Sequence, residues 1–246
     1  MTGCSSAHEA GLGRPDGGGG IATCGEAATL TEHGVQSSGG DVMNDFFVYG
    51  HSAARPPSDQ YLLPRLVQLL AAQNPSRRPM FEIGAGNGST AIYLQNLGYS
   101  ICGVEPSTDG VRIAREIGAN IQPGSAYDNL AGLYGQFRVV YSLEVIEHLY
   151  SPRSFVETAF ELVEPGGHLI VSTPFHGYWK NLALAIAGRM DSHFTPLWEH
   201  GHIKFWSCKT LRLLLTDGGF SDVRFSYAGR LYPFSKSVFA IASRSH

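Results

Sequence analysis

The sequence of 246 residues predicts an open α/β sheet, mostly parallel with an antiparallel last strand, and with helices on both faces. Three observations carry that expectation. From residue 60 onward, short apolar runs alternate with segments of helical periodicity, and repeated β-α-β units require parallel strands joined by right-handed crossovers. A glycine-rich turn lies directly between the first apolar run and the helix after it. The last two apolar runs have no helix between them, which predicts an antiparallel hairpin at one edge of the sheet.

The elements follow in order. Gln60 to Ala72 carries Leu62, Leu63, Leu66, Leu69 and Leu70 at helical spacing, with Pro64 tolerable in a first turn. Met80 to Ile83 is the first strand, and Ala91, Ile92, Leu94 and Leu97 mark the helix after its glycine turn. Ser100 to Val104 is a second strand, Gly110 to Ile117 a helix, and Asn120-Ile121 a short third strand. Phe137 to Tyr141, a helix from Pro152 to Val163, and a strand from His168 to Ser172 closed by Thr173-Pro174 continue the alternation. A helix from Lys209 to Asp217 and strands at Phe220 to Tyr227 and Ser237 to Ala242 complete it.

Composition bounds the function. With 18 Lys+Arg against 21 Asp+Glu, a net charge of −3 and no basic block, binding to duplex nucleic acid by counterion release is disfavoured. No run approaches the ~18–20 apolar residues of a membrane-spanning helix. Met1 to Gly20 has neither a basic n-region nor an apolar h-region, so a cytoplasmic protein is expected. Residues 1–45 are rich in Gly and Ser, include the run Gly17 to Gly20 and nearly lack large apolar side chains. Such a segment cannot bury enough surface to offset its ordering entropy, and a disordered tail is expected there. Phe46-Phe47-Val48-Tyr49 then opens a single domain over 46–246. The cysteines at 4, 24, 102 and 208 show no ligand-like spacing and read as reduced thiols. Nothing in the composition fixes an oligomeric state.

The stretch from Phe81 through Glu82, Gly84, Ala85, Gly86, Asn87 and Gly88 to Ser89 is the most informative. Glycines at a strand's carboxyl end let the backbone turn tightly and approach a ligand, and ligands of open α/β sheets bind at such ends. Ser89 stands where a dinucleotide fingerprint has its third glycine. Glu82 suits an ammonium better than a phosphate. An adenosyl amino acid without phosphates therefore fits. Glu105, closing the second strand, is placed to accept hydrogen bonds from ribose hydroxyls.

These residues resemble the first motif and the ribose-binding acid of the class I S-adenosylmethionine-dependent methyltransferases. The resemblance spans about Met80 to Ser172. It implies S-adenosyl-L-methionine as cofactor and a Rossmann-like seven-stranded sheet with a reversed last strand. It also implies that Ser125 and Ala126 cup the adenine and that Ser142 and Leu143 approach the methionine end.

After the fourth strand the chain reads Glu144-Val145-Ile146-Glu147-His148. On a helix, Glu144, Glu147 and His148 fall at i, i+3 and i+4 and project to one side. Two carboxylates and an imidazole suit Mg²⁺, Mn²⁺ or Zn²⁺, although solvated loop acids and a packed histidine satisfy the same spacing. Downstream, His193, His200 and His202 fall within ten residues, the last two in His200-Gly201-His202-Ile203-Lys204-Phe205. ExxEH followed by HGHxKF resembles the ubiquinone-pathway polyprenyl-catechol O-methyltransferases. It is also similar to the small-RNA 3′-terminal 2′-O-methyltransferases, whose two Glu and two His hold a divalent metal. The resemblance implies Glu144, Glu147 and His148 as metal ligands, with His202 rather than His200 as the fourth.

Residues 174–206 depart from a minimal α/β unit and are dense in Phe, Tyr, Trp and His. An insertion after the fifth strand lies over the cofactor end of the sheet, where a lid or a satellite core would sit. His176 is a candidate general base for a hydroxyl proton, and Arg189, Lys204 and Lys209 are candidates to recognise a phosphate or carboxylate. The function expected is O-methylation of a hydroxylated small molecule from S-adenosylmethionine, with or without a metal. RNA 3′-end 2′-O-methylation and a non-catalytic cofactor-binding relative are the alternatives.

Overall fold

The computed structural model describes residue 52, residues 54–198 and residues 201–246. The tail expected over 1–45 and the aromatic cluster at 46–49 lie outside them, as does His200.

Continuous apolar runs form strands here because both faces of the sheet are covered, so neither side chain of an alternating pair meets water. β1 (Met80–Ile83), β2 (Ile101–Glu105), β3 (Ile121–Pro123), β4 (Phe137–Leu143), β5 (Val163–Pro174), β6 (Ser221–Ala228) and β7 (Ser237–Ser243) make one sheet in the order β3-β2-β1-β4-β5-β7-β6. The first five are parallel, with Phe81 opposite Cys102 on one side and Val140 on the other. β7 runs antiparallel between β5 and β6. The expected hairpin forms, and its earlier strand, β6, takes the edge.

The period-two alternation divides the core. Phe81, Ile83 and Val140 pack with Leu130 of α4 (Leu130–Tyr134), Phe155 and Val156 of α5 (Pro152–Leu162), and Leu211 of α8 (Cys208–Asp217). On the opposite face, Met80, Val139 and Tyr141 meet α1 (Asp59–Gln73), α2 (Ser89–Asn96) and α3 (Thr108–Glu116). The helices α6 (Tyr178–Ile186) and α7 (Met190–Phe194) occupy the segment between β5 and α8. Two expectations shift: β5 begins at Val163, which the periodicity places in the preceding helix, and α4 arises where no element is expected. Among the described residues no helix is long and apolar enough to cross a membrane.

Strand order reverses between β1 and β4, the switch point at which open α/β sheets bind ligands. The glycine turn leaves β1 there, and the glutamate-histidine segment leaves β4 there. Gly88 has φ +76°, and a Cβ on it would lie 2.7 Å from the Cβ of Ala114. Gly88→Ala should therefore destabilise the fold by about 2–4 kcal/mol through backbone strain and overpacking, read as a lower denaturant midpoint. An unchanged midpoint would contradict this packing.

Candidate active site

The glycine turn is fixed from three sides. The amides of Gly84 and Ala85 both donate to the Val104 carbonyl, at 2.9 and 3.1 Å, tying the turn to β2. The Asn87 side chain accepts from the amide of Ser89 at 3.1 Å and donates to the carbonyls of Ser52 and Ala54, at 2.8 and 3.1 Å. Ser89 donates its hydroxyl to Asp59 at 3.1 Å, so α1 is pinned to the start of α2. A Cβ on Gly84, whose φ is +77°, would meet the Val145 side chain at 2.6 Å. Only glycine lets the two switch-point loops touch there.

Two acids flank this turn. Glu82 is buried beneath it and accepts from the Tyr141 hydroxyl at 3.2 Å. Burial pushes its carboxyl well above the usual range against that hydrogen bond, and the nearby charges of Glu105 and Asp59 add to the rise. Glu105, also buried, accepts from the amides of Gly86 at 2.8 Å and Ser107 at 3.0 Å, one on each oxygen. Its carboxylate is thereby aimed along the end of β2. After β3, the amide of Ser125 donates to Asp128 at 2.7 Å and Ala126 is buried. Ser142 donates its hydroxyl to the Ile83 carbonyl at 2.8 Å, stapling β4 to β1, and Leu143 packs against the α1–α2 side of the core.

The segment after β4 does not coil as the i, i+3, i+4 pattern requires. Glu144 has φ +54° and precedes a single 3₁₀ turn, Ile146–His148. Its carboxylate accepts from Ser172 at 2.7 Å and from Ser237 at 3.2 Å. Burial outweighs those hydrogen bonds and raises its carboxyl to about 7. Glu147, by contrast, is buried and neither carboxylate oxygen makes a well-formed hydrogen bond, although Thr173 and its own backbone lie close enough to act on it. Its Oε1 lies 3.9 Å from Nε2 of both His148 and His202. Potential ligand atoms of Glu147, His148 and His202 all fall within 4.8 Å of one another, and Glu144 is not in that group.

The downstream motif is brought to this turn by its backbone. The amides of Ile203 and Lys204 donate to the Glu147 carbonyl, both at 2.9 Å, and the Trp206 indole donates to the Ile146 carbonyl at 3.4 Å. His148 Nδ1 lies 3.2 Å from the Gly201 carbonyl. A proton on Nδ1 completes that hydrogen bond and puts the lone pair on Nε2, which lies 3.9 Å from Glu147 Oε1. The His148 and His202 rings meet edge-on at 4.9 Å. Burial, with the charges of His148 and His193, lowers His202 to about 4, so its imidazole is neutral near pH 7.

A metal fits this donor set. An orphaned buried carboxylate between two imidazoles is costly alone and is relieved by a cation. One carboxylate with two histidines suits Zn²⁺ better than Mg²⁺.

His176 sits elsewhere in the insertion, stacked on Phe194 at 5.7 Å and edge-on to Phe205 at 5.0 Å and His193 at 5.8 Å. Burial, then the charges of Lys180, His193 and His202, lowers it to about 4. The unfolded chain then protonates first, so stability should fall as pH drops from 6.5 through 4. His176→Gln should flatten part of that acid limb in thermal melts; an unchanged limb would contradict its burial. Tyr61 of α1, which sequence reasoning passes over, belongs beside the acids. Burial raises its phenol against a hydrogen bond with Ser237, and the charges of Glu144 and Glu147 raise it further.

Comparison with known proteins places this geometry. Residues 57–224 match the family model described as a methyltransferase domain. The ubiquinone biosynthesis O-methyltransferases of Caulobacter vibrioides and Caulobacter sp. strain K31 are 32% and 35% identical over 143 residues. In each case the match covers 55% of this chain and 56% of the relative, so the chain spans about half the length of the curated relatives it matches. Magnesium protoporphyrin IX methyltransferase from Synechocystis PCC 6803, solved with bound SAH, superposes with a TM-score of 0.56 at 22% identity, over 74% of this chain and 82% of that one. A possible histamine N-methyltransferase from Thermotoga maritima gives 0.52 at 20% identity, over 68% and 82%. The family match over residues 57–224 and the likeness of fold agree with the seven-stranded sheet and its reversed seventh strand, and the chain belongs to the methyltransferase-domain family with the class I S-adenosylmethionine-dependent fold.

Proposed function

We propose that the protein methylates a hydroxyl oxygen of a small, dihydroxylated acceptor, using S-adenosyl-L-methionine and a divalent metal. The observation that carries this reading is the buried, unpartnered Glu147 carboxylate flanked by His148 and His202. The curated relatives, named as O-methyltransferases, support the choice of oxygen.

Gly84 to Gly88, Glu82, Glu105, Ser125, Ala126, Ser142 and Leu143 are the residues assigned to the cofactor, which when bound supplies an electrophilic sulfonium methyl. Glu147, His148 and His202 are assigned to the metal, whose charge lowers the pKa of a nearby hydroxyl. The chain's own groups position and protect. Glu105 presents an oriented carboxylate to ribose hydroxyls, and Glu82, whose buried carboxyl is pushed toward its neutral form, is returned toward the ionised form by an ammonium placed above the turn. His148 is held at Nδ1 by Gly201, which orients its ring with Nε2 3.9 Å from Glu147. Residues 203–206, bonded to the turn at 146–147, carry the aromatic insertion to the same end of the sheet. With the acceptor oxygen held in line with the methyl, alignment does most of the remaining work.

The test is methyl transfer from labelled cofactor to a panel of catechols, with products identified as O-methyl ethers by mass spectrometry. Transfer is expected to stop with EDTA and return with Zn²⁺ or Mn²⁺. Transfer indifferent to EDTA would remove the metal. No transfer to any dihydric phenol, with cofactor binding intact, would remove the acceptor class.

A further inference from the structure

A cavity of about 410 Å³ opens between α6, the beginning of α7 and the β6–β7 connection. Lys180, Arg189, Arg230 and Lys236 all line it, with Leu184 and Phe234 among its apolar walls. Four of the chain's 18 basic residues thus surround one hollow in a molecule of net charge −3. Among the described residues none of the four forms an ion pair. Lys180 donates to the Phe175 carbonyl at 2.8 Å and the Lys236 ammonium lies 4.9 Å above the Tyr61 ring, which fixes both. Burial, then repulsion from Arg230, lowers Lys180 from its ordinary value against the opposing attraction of Glu144. Like charges beside apolar walls repel through a poorly screening medium, Lys180 among them also feeling a nearby acid, and an anion relieves that repulsion.

The hollow adjoins the candidate active site. His193 lines it and is near enough to His202 for its charge to act on that imidazole. Lys236 precedes Ser237, whose hydroxyl donates to Glu144 at 3.2 Å. The volume is that of a small-ligand pocket, within the usual range of about 300–1,000 Å³. Guanidinium groups recognise carboxylate and phosphate in bidentate fashion, while the apolar walls take hydrocarbon. A bare inorganic anion would leave those walls unused.

We propose that this cavity is an anion subsite for the methyl acceptor, seating a carboxylate or phosphate carried on an aromatic or aliphatic body. The inference rests on the O-methyl acceptor reading for the identity of its ligand, and it adds that the acceptor is acidic.

The test is binding to the full chain loaded with S-adenosylhomocysteine, with matched acid and amide probes. One pair, 4-butylbenzoate and 4-butylbenzamide, has no hydroxyl; the other is 3,4-dihydroxybenzoate and its amide. In both pairs the acid should bind at least about tenfold tighter than the amide. Arg189→Gln/Arg230→Gln should abolish the preference and leave amide affinity unchanged; neither side chain hydrogen-bonds to another described residue, so the fold survives. Equal affinity for acid and amide, or a preference that persists in the double variant, overturns the proposal. It is also overturned if the arginines mediate binding only to phosphatidylglycerol vesicles and not to the soluble acids. If 4-butylbenzoate shows the arginine-dependent preference while no dihydroxybenzoate is methylated, the anion site stands and the O-methyl reading falls.

Discussion

Glu147→Gln should abolish divalent-metal binding and lower methyl transfer by at least about 100-fold, since loss even of outer-shell partners costs 10–100-fold. The amide keeps the volume of the side chain but cannot serve as an anionic ligand between His148 and His202. The same substitution should stabilise the metal-free protein at alkaline pH. Burial, with the charge of Glu144 adding to it, pushes the Glu147 carboxyl well above its ordinary value. The folded state then holds a proton that the unfolded chain releases, so the wild-type protein loses stability as pH rises from 4.5 up to the raised pKa, and the amide variant does not. Thermal melts at pH 5 and pH 8 with EDTA read the difference directly. Unaltered methyl transfer in this variant, with the cofactor still bound, would end the metal assignment.

Glu105→Ala should weaken cofactor binding by about 100-fold, or roughly 3 kcal/mol. The carboxylate bonds the amides of Gly86 and Ser107, so its loss leaves two turn donors unpaired and also removes the group assigned to the ribose. Hydrogen bonds to a charged group contribute about 1.5–3 kcal/mol each, which sets the scale. Glu105→Gln, able to accept on one oxygen only, should fall between. Calorimetry with S-adenosylhomocysteine measures all three. A change of less than about threefold in the alanine variant, or ~0.7 kcal/mol, would detach Glu105 from the cofactor.

What the sequence made legible was mostly local. Glycines at 84, 86 and 88 announce a turn because each has φ above +50°, which few other residues tolerate. The strands around that turn are short, mostly apolar runs whose alternation with helices announces a parallel sheet, whereas the order β3-β2-β1-β4-β5-β7-β6 depends on long-range pairing that no local pattern carries. α4 escaped because Leu130–Tyr134 is a single capped turn, held by Asn129 accepting from the Gly132 amide, too short to show a period. Glu144 escaped for a different reason. Its partners Ser172 and Ser237 lie 28 and 93 residues away, and its left-handed backbone defeats the helical projection that would group it with Glu147. Tyr61 likewise reaches the acids only through the docking of α1, which no spacing within its own helix reveals.

The bonds from Ile203, Lys204 and Trp206 to the turn at Ile146 and Glu147 have a thermodynamic consequence. His202, one member of the three-residue donor group, belongs to the same stretch of chain as these anchors, while Glu147 and His148 belong to the turn that leaves the sheet. Any movement that displaced residues 203–206 from the turn would therefore also draw His202 away from Glu147 and His148. If the proposed metal binds there, linkage requires that a ligand favouring the seated insertion tighten metal binding by the same factor by which the metal tightens that ligand. Such reciprocity would make the enzyme ordered in fact without any obligatory sequence of binding: each occupant raises the affinity for the others, and the fully assembled site is the state in which the methyl group is committed.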